Sequence, residues 1–101
     1  MRTRLDLDGV LREIMQNGNV YFQPNENVRM KYPCIVYNLY DIENGHGDNI
    51  PYLQNAAYQL TLIDPNPDNK YWEKISQLPW CSIDRTFVAD NLNHYVYTIY
   101  I

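Results

Sequence analysis

The run Cys34-Ile-Val-Tyr-Asn-Leu-Tyr-Asp-Ile42 decides the fold of this chain. Its β-branched and aromatic side chains favour a strand, in which Ile35, Tyr37 and Leu39 face one way. The alternate residues also include apolar and aromatic side chains, Val36 and Tyr40, so both faces of the strand are expected to be covered. We therefore place this strand in the centre of a sheet or beneath an interface, and the rest of the chain is arranged around it.

A first helix is predicted over residues 3–16. Thr3 and Asp6 have the spacing of a capping box, and Asn17-Gly18 provides a left-handed stop. Four apolar residues recur at helical spacing and form one stripe. They are Leu7, Leu11, Ile14 and Met15.

A second helix is predicted after Asp64-Pro-Asn-Pro-Asp68. Asn66 is the expected cap, Pro67 occupies the first helical position, and Pro79 ends the helix. The predicted buried stripe consists of Tyr71, Trp72, Ile75 and Leu78.

The remaining apolar runs predict strands separated by short turns. They lie at residues 20–23, 52–63, 82–88 and 94–101, with Asp90-Asn91 as the last turn. The resulting order is α-β-β-β-α-β-β, which predicts an α+β fold. We expect a two-layer sandwich, a mostly antiparallel sheet with both helices on one face, forming a single domain over residues 1–101.

The composition excludes some functions and points to self-association. The chain has 101 residues and a net charge of −4, which argues against a bare nucleic-acid binder, and no apolar run is long enough to span a membrane. Ten of its residues are tyrosine. Tyr58, Trp72 and Tyr97 have core spacing. The surplus predicts a second sheet face that carries tyrosines from several strands and mediates contact between copies.

No catalytic signature is present, so neither an enzyme nor a cofactor is expected. The loop that contains Asp41, Glu43, His46 and Asp48 could bind a divalent ion, or it is a solvated polar loop. Its spacing matches no established metal-binding pattern, which favours the solvated loop.

Cys34 and Cys81 are expected to be buried thiols, because no export signal is visible and a secreted scaffold would carry more cysteines. The alternatives are a single disulfide or redox pair, and a nucleophile with His46 or His94 as its base. The apolar stretches around both thiols favour the core interpretation.

Asp84 and Arg85 place opposite charges next to each other on a predicted strand. They form either a local pair on the exposed sheet face or a pair between subunits. The sequence leaves these two alternatives equal.

Several segments together resemble a known family. They are Tyr32-Pro-Cys-Ile-Val-Tyr37, a loop with Asp48-Asn49, a strand with Tyr58 that ends at Ile63-Asp64-Pro65, Leu78-Pro79, Cys81-Ser-Ile-Asp-Arg-Thr-Phe87, and Asp90-Asn-Leu-Asn-His-Tyr-Val-Tyr-Thr-Ile-Tyr-Ile101. In order and length, they resemble the small tail-completion or tail-terminator proteins of long-tailed bacteriophages. The resemblance spans nearly the whole chain.

The resemblance implies a non-enzymatic virion protein, assembled in the cytoplasm of the host bacterium. Such proteins form a ring, commonly a hexamer, that terminates the tail tube and joins it to the head connector. DNA passes through the ring without sequence-specific binding. The alternatives are a head-closure or tail-tube component of the same neck, a small dimeric binding domain unrelated to phage and, least favoured, an enzyme whose site has no recognisable motif.

A ring needs contacts that close by rotation, and an edge strand or an extended loop from each subunit can supply them. The loop over residues 43–49 is predicted to reach a neighbouring subunit or the tube. The candidate interface residues are Glu43, Asn44, His46, Asp48, Asn49, Asp84 and Arg85.

Overall fold

Seven elements make up the computed structural model, which describes residues 3–16, 18–44 and 54–101. The helices are α1 (Arg4–Met15) and α2 (Tyr71–Ser76). The strands are β1 (Val20–Phe22), β2 (Cys34–Asn44), β3 (Gln54–Asp64), β4 (Cys81–Ala89) and β5 (Leu92–Tyr100). This order confirms the predicted α-β-β-β-α-β-β sequence of elements and the α+β class.

The five described strands form one sheet in the order β1-β2-β3-β5-β4. β1 runs parallel to β2, and every other neighbouring pair is antiparallel. β5 lies between β3 and β4, so the connection through α2 crosses over one strand. As a result, the short β1 lies at one edge of the sheet and the nine-residue β4 lies at the other.

The ends of α1 follow from local hydrogen bonds. The Asp6 N–H donates to Thr3 Oγ1 at 3.1 Å and the Thr3 N–H donates to Asp6 Oδ2 at 3.2 Å, which confirms the predicted capping box. The predicted stop is displaced. Gln16, with φ of 59°, is the left-handed residue that ends the helix, and its N–H donates to the Arg12 carbonyl. Gly18 also has positive φ (75°), and Asn17 lies outside the described residues.

The core lies between the helices and one face of the sheet. Its buried members include three of the four residues predicted for the α1 stripe and the predicted inner residues of β3. They are Leu7, Leu11, Met15, Val20, Ile35, Tyr37, Tyr58, Leu60, Leu62, Ile75, Tyr97 and Ile99. Ile14, the fourth stripe residue, is half-buried against this cluster.

The second helix begins later than the sequence predicted. Asn66 Oδ1 accepts from the Asp68 N–H at 3.0 Å and so stabilises a turn, not a helix. The cap is supplied by the buried Asn69, whose Oδ1 accepts from the N–H groups of Tyr71 and Trp72. The helix therefore runs for only six residues. Its predicted stripe is otherwise confirmed, since Ile75 is buried and Tyr71 and Leu78 pack against the core, but Trp72 is 37% exposed.

The face of the sheet opposite the two helices differs from the prediction. Among the described residues, the side chains that the register places there include only two tyrosines, Tyr21 and Tyr100. Most of the other tyrosines lie in the core or against it. They are Tyr37, Tyr58, Tyr71, Tyr95 and Tyr97. The prediction that several strands present tyrosines on this face is wrong, because the tyrosines of β2, β3 and β5 fall mainly on the helix side.

Candidate assembly interface

The outer edge of β4 is an exposed apolar surface. Among the described strands β4 pairs only with β5, and every residue of β4 after Cys81 is exposed. The side chains of Ile83 and Val88 are 48% and 68% exposed, and Trp80, which precedes the strand, is 81% exposed. An edge of this length with apolar side chains is a template for pairing with another strand. We refer to the outer side of residues 81–89 as the β4 edge.

A bulge in β4 places the two predicted charges. The register with β5 shifts between Ile83 and Arg85, so Asp84 is the extra residue. Asp84 Oδ2 accepts a hydrogen bond from the Thr98 hydroxyl at 2.6 Å. The Arg85 guanidinium lies 5.7 Å from the centre of the Phe87 ring. The bulge therefore turns Asp84 toward its own subunit and leaves Arg85 beside an aromatic ring of the same strand.

The local Asp84–Arg85 pair proposed from the sequence does not form. Within residues 3–16, 18–44 and 54–101, the ion pair present is Arg12–Asp8 on α1. Asp84 is committed to a hydroxyl of its own subunit, whereas Arg85 is exposed with its charge unpaired. The remaining alternative, a contact of Arg85 with another subunit, is consistent with this geometry.

A second strand edge is exposed on the opposite side of the sheet. β1 pairs with β2 only through residues 35–37, so β2 has no strand partner on its outer side from Leu39 onward in the described chain. Side chains take the place of a strand here. The Leu39 N–H donates to Gln23 Oε1 at 3.2 Å, and the Ile42 N–H donates to Asp41 Oδ1 at 2.8 Å.

Apolar side chains also flank this second edge. A register shift between Leu39 and Asp41 makes Tyr40 the extra residue of a bulge. Leu39, Tyr40 and Ile42 are 41%, 64% and 53% exposed. We refer to the outer side of residues 39–44 as the β2 edge.

The predicted loop residues lie at the end of this edge. The backbones of Glu43 and Asn44 form the last two residues of β2, so these two extend the strand and do not begin the loop. His46, Asp48 and Asn49 lie outside the described residues. Asp41 is exposed, and no cluster of three or more potential metal ligands occurs among the residues that the structure describes.

The two cysteines cannot pair within one folded subunit. Cys34 is opposite Ile63 on the face without helices, whereas Cys81 is opposite Ile99 on the helix side. Two strands, β3 and β5, separate them, which exceeds the Cα separation that a disulfide allows. Both thiols are free.

Burial, together with the nearby charge of Asp64 at Cys34 and of Asp84 at Cys81, raises the pKa of each thiol to about 11. A thiol with a raised pKa is protonated at neutral pH and is a poor nucleophile. His94 stacks on Phe87 with ring centres 4.5 Å apart, and its Nδ1 lies 3.0 Å from the Leu92 carbonyl. This arrangement gives no support to a cysteine nucleophile with His94 as base.

A partly buried polar joint fixes α1 on the sheet. The Tyr37 hydroxyl donates to Asp8 Oδ2 at 2.6 Å and accepts from Arg4 Nη1 at 3.1 Å. Burial acts to raise the pKa of Asp8, but hydrogen bonds from Tyr37 and Arg12 and the charges of Arg12 and Arg4 outweigh it, so the pKa is lowered. Arg12 also donates to the Val20 carbonyl, which ties the helix to β1. This joint therefore links α1 to both β1 and β2.

A polar cleft of about 570 Å³ lies where β3 leads into α2. Acidic and basic side chains line it together, including Asp64, Asp68, Lys70 and Lys74. Asp64 already accepts from the Asn66 N–H at 2.8 Å. The mixed charges favour neither an anionic nor a cationic ligand.

No family model, no curated protein and no solved structure matches this chain. No helix in the described part of the chain is long and apolar enough to cross a membrane.

Four of the predicted interface residues lie on these two edges, and most of the exposed apolar residues there were not predicted. The four are Glu43 and Asn44 on β2 and Asp84 and Arg85 on β4. Nothing in the local sequence distinguishes Trp80, Ile83 and Val88 from ordinary loop and strand residues. Their only signal is a position in a strand bounded by a helix and a tight turn, which does not reveal whether the strand lies at an edge.

Proposed function

We propose that the chain is a structural subunit that assembles with copies of itself into a ring at the head-proximal end of a bacteriophage tail tube. In this role it terminates the tail and joins it to the head connector. The ring surrounds the channel for DNA and does not read its sequence. The protein acts by assembly and not by catalysis, and it resides in the neck of the virion.

One observation carries the assembly part of this proposal. A single small sheet exposes two different strand edges on its opposite sides, and apolar side chains flank both of them. Natural proteins protect long edges with charges, bulges, prolines or covering segments. Each of these edges has one bulge and a charged residue, but large apolar side chains remain exposed beside both. Exposed apolar surface of this kind is typical of a face that a partner buries.

The unlike character of the two edges favours a ring over a symmetric dimer. A dimer with twofold symmetry uses the same surface on both copies, whereas contact between unlike surfaces continues from copy to copy until a rotation closes it. The resemblance to tail-terminator proteins supports the location, and a hexamer is the number of subunits that it implies. The net charge of −4 supports a conduit that does not retain DNA.

Electron microscopy of particles assembled without this chain tests the proposal. We expect overlong or unjoined tails beside filled heads. Tails of normal length beside heads that lose their DNA would instead assign the chain to head closure. Complete, infectious particles would overturn a role in the neck, and a purified chain that forms only a twofold dimer would favour a small binding domain.

Deleting residues 45–49, the part of the predicted loop that follows the strand residues Glu43 and Asn44, provides a second test. If the loop reaches a neighbour or the tube, its deletion leaves the thermal unfolding transition of the subunit in place but abolishes rings and tail joining. Rings that persist would show that the loop is not needed for assembly.

A further inference from the structure

We propose that the β4 edge of one copy pairs with the β2 edge of the next copy, with Arg85 of the first facing Asp41 of the second. This inference rests on the proposed ring and specifies which surfaces meet. Its occupant is a second copy of this chain. Three properties of the two edges support the pairing: strand direction, the placement of apolar side chains and charge.

The strand directions match. β2, β3, β5 and β4 are successive neighbours in the sheet and each pair is antiparallel, so β2 and β4 run in opposite directions. If the sheet of one copy continues into the next without reversal, β4 meets the neighbouring β2 in antiparallel fashion. Antiparallel pairing is the more stable arrangement per residue.

The apolar side chains lie on the same side of the sheet. Ile83 is opposite Tyr97, which places it on the helix side, and Ile42 is opposite Ala56 on that same side. Both isoleucines are about half exposed in the isolated subunit. A continuous sheet would therefore bring two exposed isoleucines together on one surface and remove them from water.

The charges are complementary on the other side of the sheet. Arg85 is opposite Val96 and Asp41 is opposite Ala57, which places both on the face without helices. Neither forms an ion pair within the described part of the chain. Asp84 does not compete for Arg85, because it accepts from Thr98. Opposite charges that meet across an interface fix its register and disfavour wrong partners.

Pairing β4 with β4 would leave the β2 edge uncovered. It would also stop assembly at two copies, because the same surface would be used on both sides. Pairing of unlike edges covers both edges of every copy, which is why the structure favours it.

Charge reversal tests this contact. Arg85→Glu and Asp41→Lys each create like charges across the proposed interface, and each is expected to raise the concentration needed for half-assembly at least about tenfold. The double variant restores the opposite pair and is expected to assemble. Light scattering measures the mass of each sample at tens of micromolar. The matched controls are Lys74→Glu and Glu13→Lys, which make the same charge changes on exposed helical positions.

Mixing the two single variants gives the sharpest result. The glutamate introduced at position 85 in one variant then faces the lysine introduced at position 41 in the other, and the unchanged Arg85 faces the unchanged Asp41. The mixture is therefore expected to assemble although neither variant does alone. A mixture that stays unassembled, or single variants that form rings as the wild type does, would overturn the pairing while leaving the ring itself intact. A wild-type chain that remains a monomer would overturn both the pairing and the ring.

Discussion

Replacing Tyr37 with phenylalanine removes one hydroxyl from the joint between α1 and β2. Tyr37 is fully buried, and phenylalanine fills the same volume, so the change isolates the hydrogen bonds. The hydroxyl donates to the Asp8 carboxylate at 2.6 Å and accepts from Arg4 at 3.1 Å. A hydrogen bond to a charged partner contributes about 1.5–3 kcal/mol to the free energy of unfolding.

The lower half of that range applies to Tyr37→Phe. Asp8 keeps its contact with Arg12, and its side chain is 17% exposed, so water can replace part of the lost interaction. We expect the free energy of unfolding to fall by about 1.5–2 kcal/mol. In a domain of this size, that loss lowers the melting temperature by about 6–16 °C.

The loss should also depend on pH. The folded state lowers the pKa of Asp8 from its ordinary value of 3.8. The stability linked to Asp8 is therefore fully present above that value and is lost as the pH falls through the lower folded pKa. In strong acid the Asp8 carboxyl group that accepts from Tyr37 is neutral. The loss in free energy of unfolding caused by Tyr37→Phe should therefore be smaller there than at neutral pH.

Thermal and urea unfolding of the wild type and Tyr37→Phe, at neutral and at acidic pH and equal ionic strength, measures both effects. Tyr40→Phe is the matched control, because it removes the same hydroxyl from a side chain that is 64% exposed, and its effect should stay within about 0.5 kcal/mol. A melting temperature for Tyr37→Phe equal to that of the wild type would refute the reasoning. A loss of equal size at both pH values would refute the role of a charged Asp8.

The remaining predictions concern the edge, the thiols and the last turn. Val88→Lys should leave unfolding unchanged but weaken assembly by about 1–2 kcal/mol per contact, or about 5–30-fold. The reason is that Val88, which is 68% exposed in the isolated subunit, would no longer bury that surface against its neighbour. Val28→Lys, on an exposed loop, is the control, and equal assembly of both variants would contradict the prediction. Cys34 and Cys81 should react slowly with an alkylating agent in the folded state and rapidly in denaturant, and rapid labelling of the native protein would be inconsistent with their raised pKa values. Asn91→Gly should stabilise the β4–β5 hairpin by less than about 1 kcal/mol. This turn position has a φ of 61°, which glycine adopts without strain, but the greater freedom of glycine in the unfolded chain offsets part of the gain. A lower melting temperature would count against that.

Local signals in the sequence are sufficient to predict the first helix and the core strands. Thr3 and Asp6 form the expected capping box, and Leu60 and Leu62 lie in the core as their alternation indicates. These features depend on neighbours within a few positions, and hydrophobic periodicity reports them directly.

The errors arise where two residues of similar chemistry compete or where a contact across the fold decides the outcome. Asn66 and Asn69 are both good caps, and a hydrogen bond from Asn69 to the Tyr95 hydroxyl, across the fold, favours the later one. The predicted side of α2 still faces the sheet, because Ile75 is buried and Tyr71 packs against the core, but Trp72 at the margin of that side is exposed.

The candidate interface is only partly predictable because edges are a property of strand order. Arg85 is identified from its charge, but the position of β4 at an edge follows from the insertion of β5 beside β3. Both bulges, at Tyr40 and Asp84, also depend on register between strands, and local composition does not encode them.

The proposed assembly is tested by electron microscopy of the purified chain at tens of micromolar. We expect closed rings with one rotation axis, in which β4 of each subunit adjoins residues 39–44 of the next and the sheets continue from copy to copy. Particles of 12.0 kDa alone, or twofold dimers joined through β4, would contradict it.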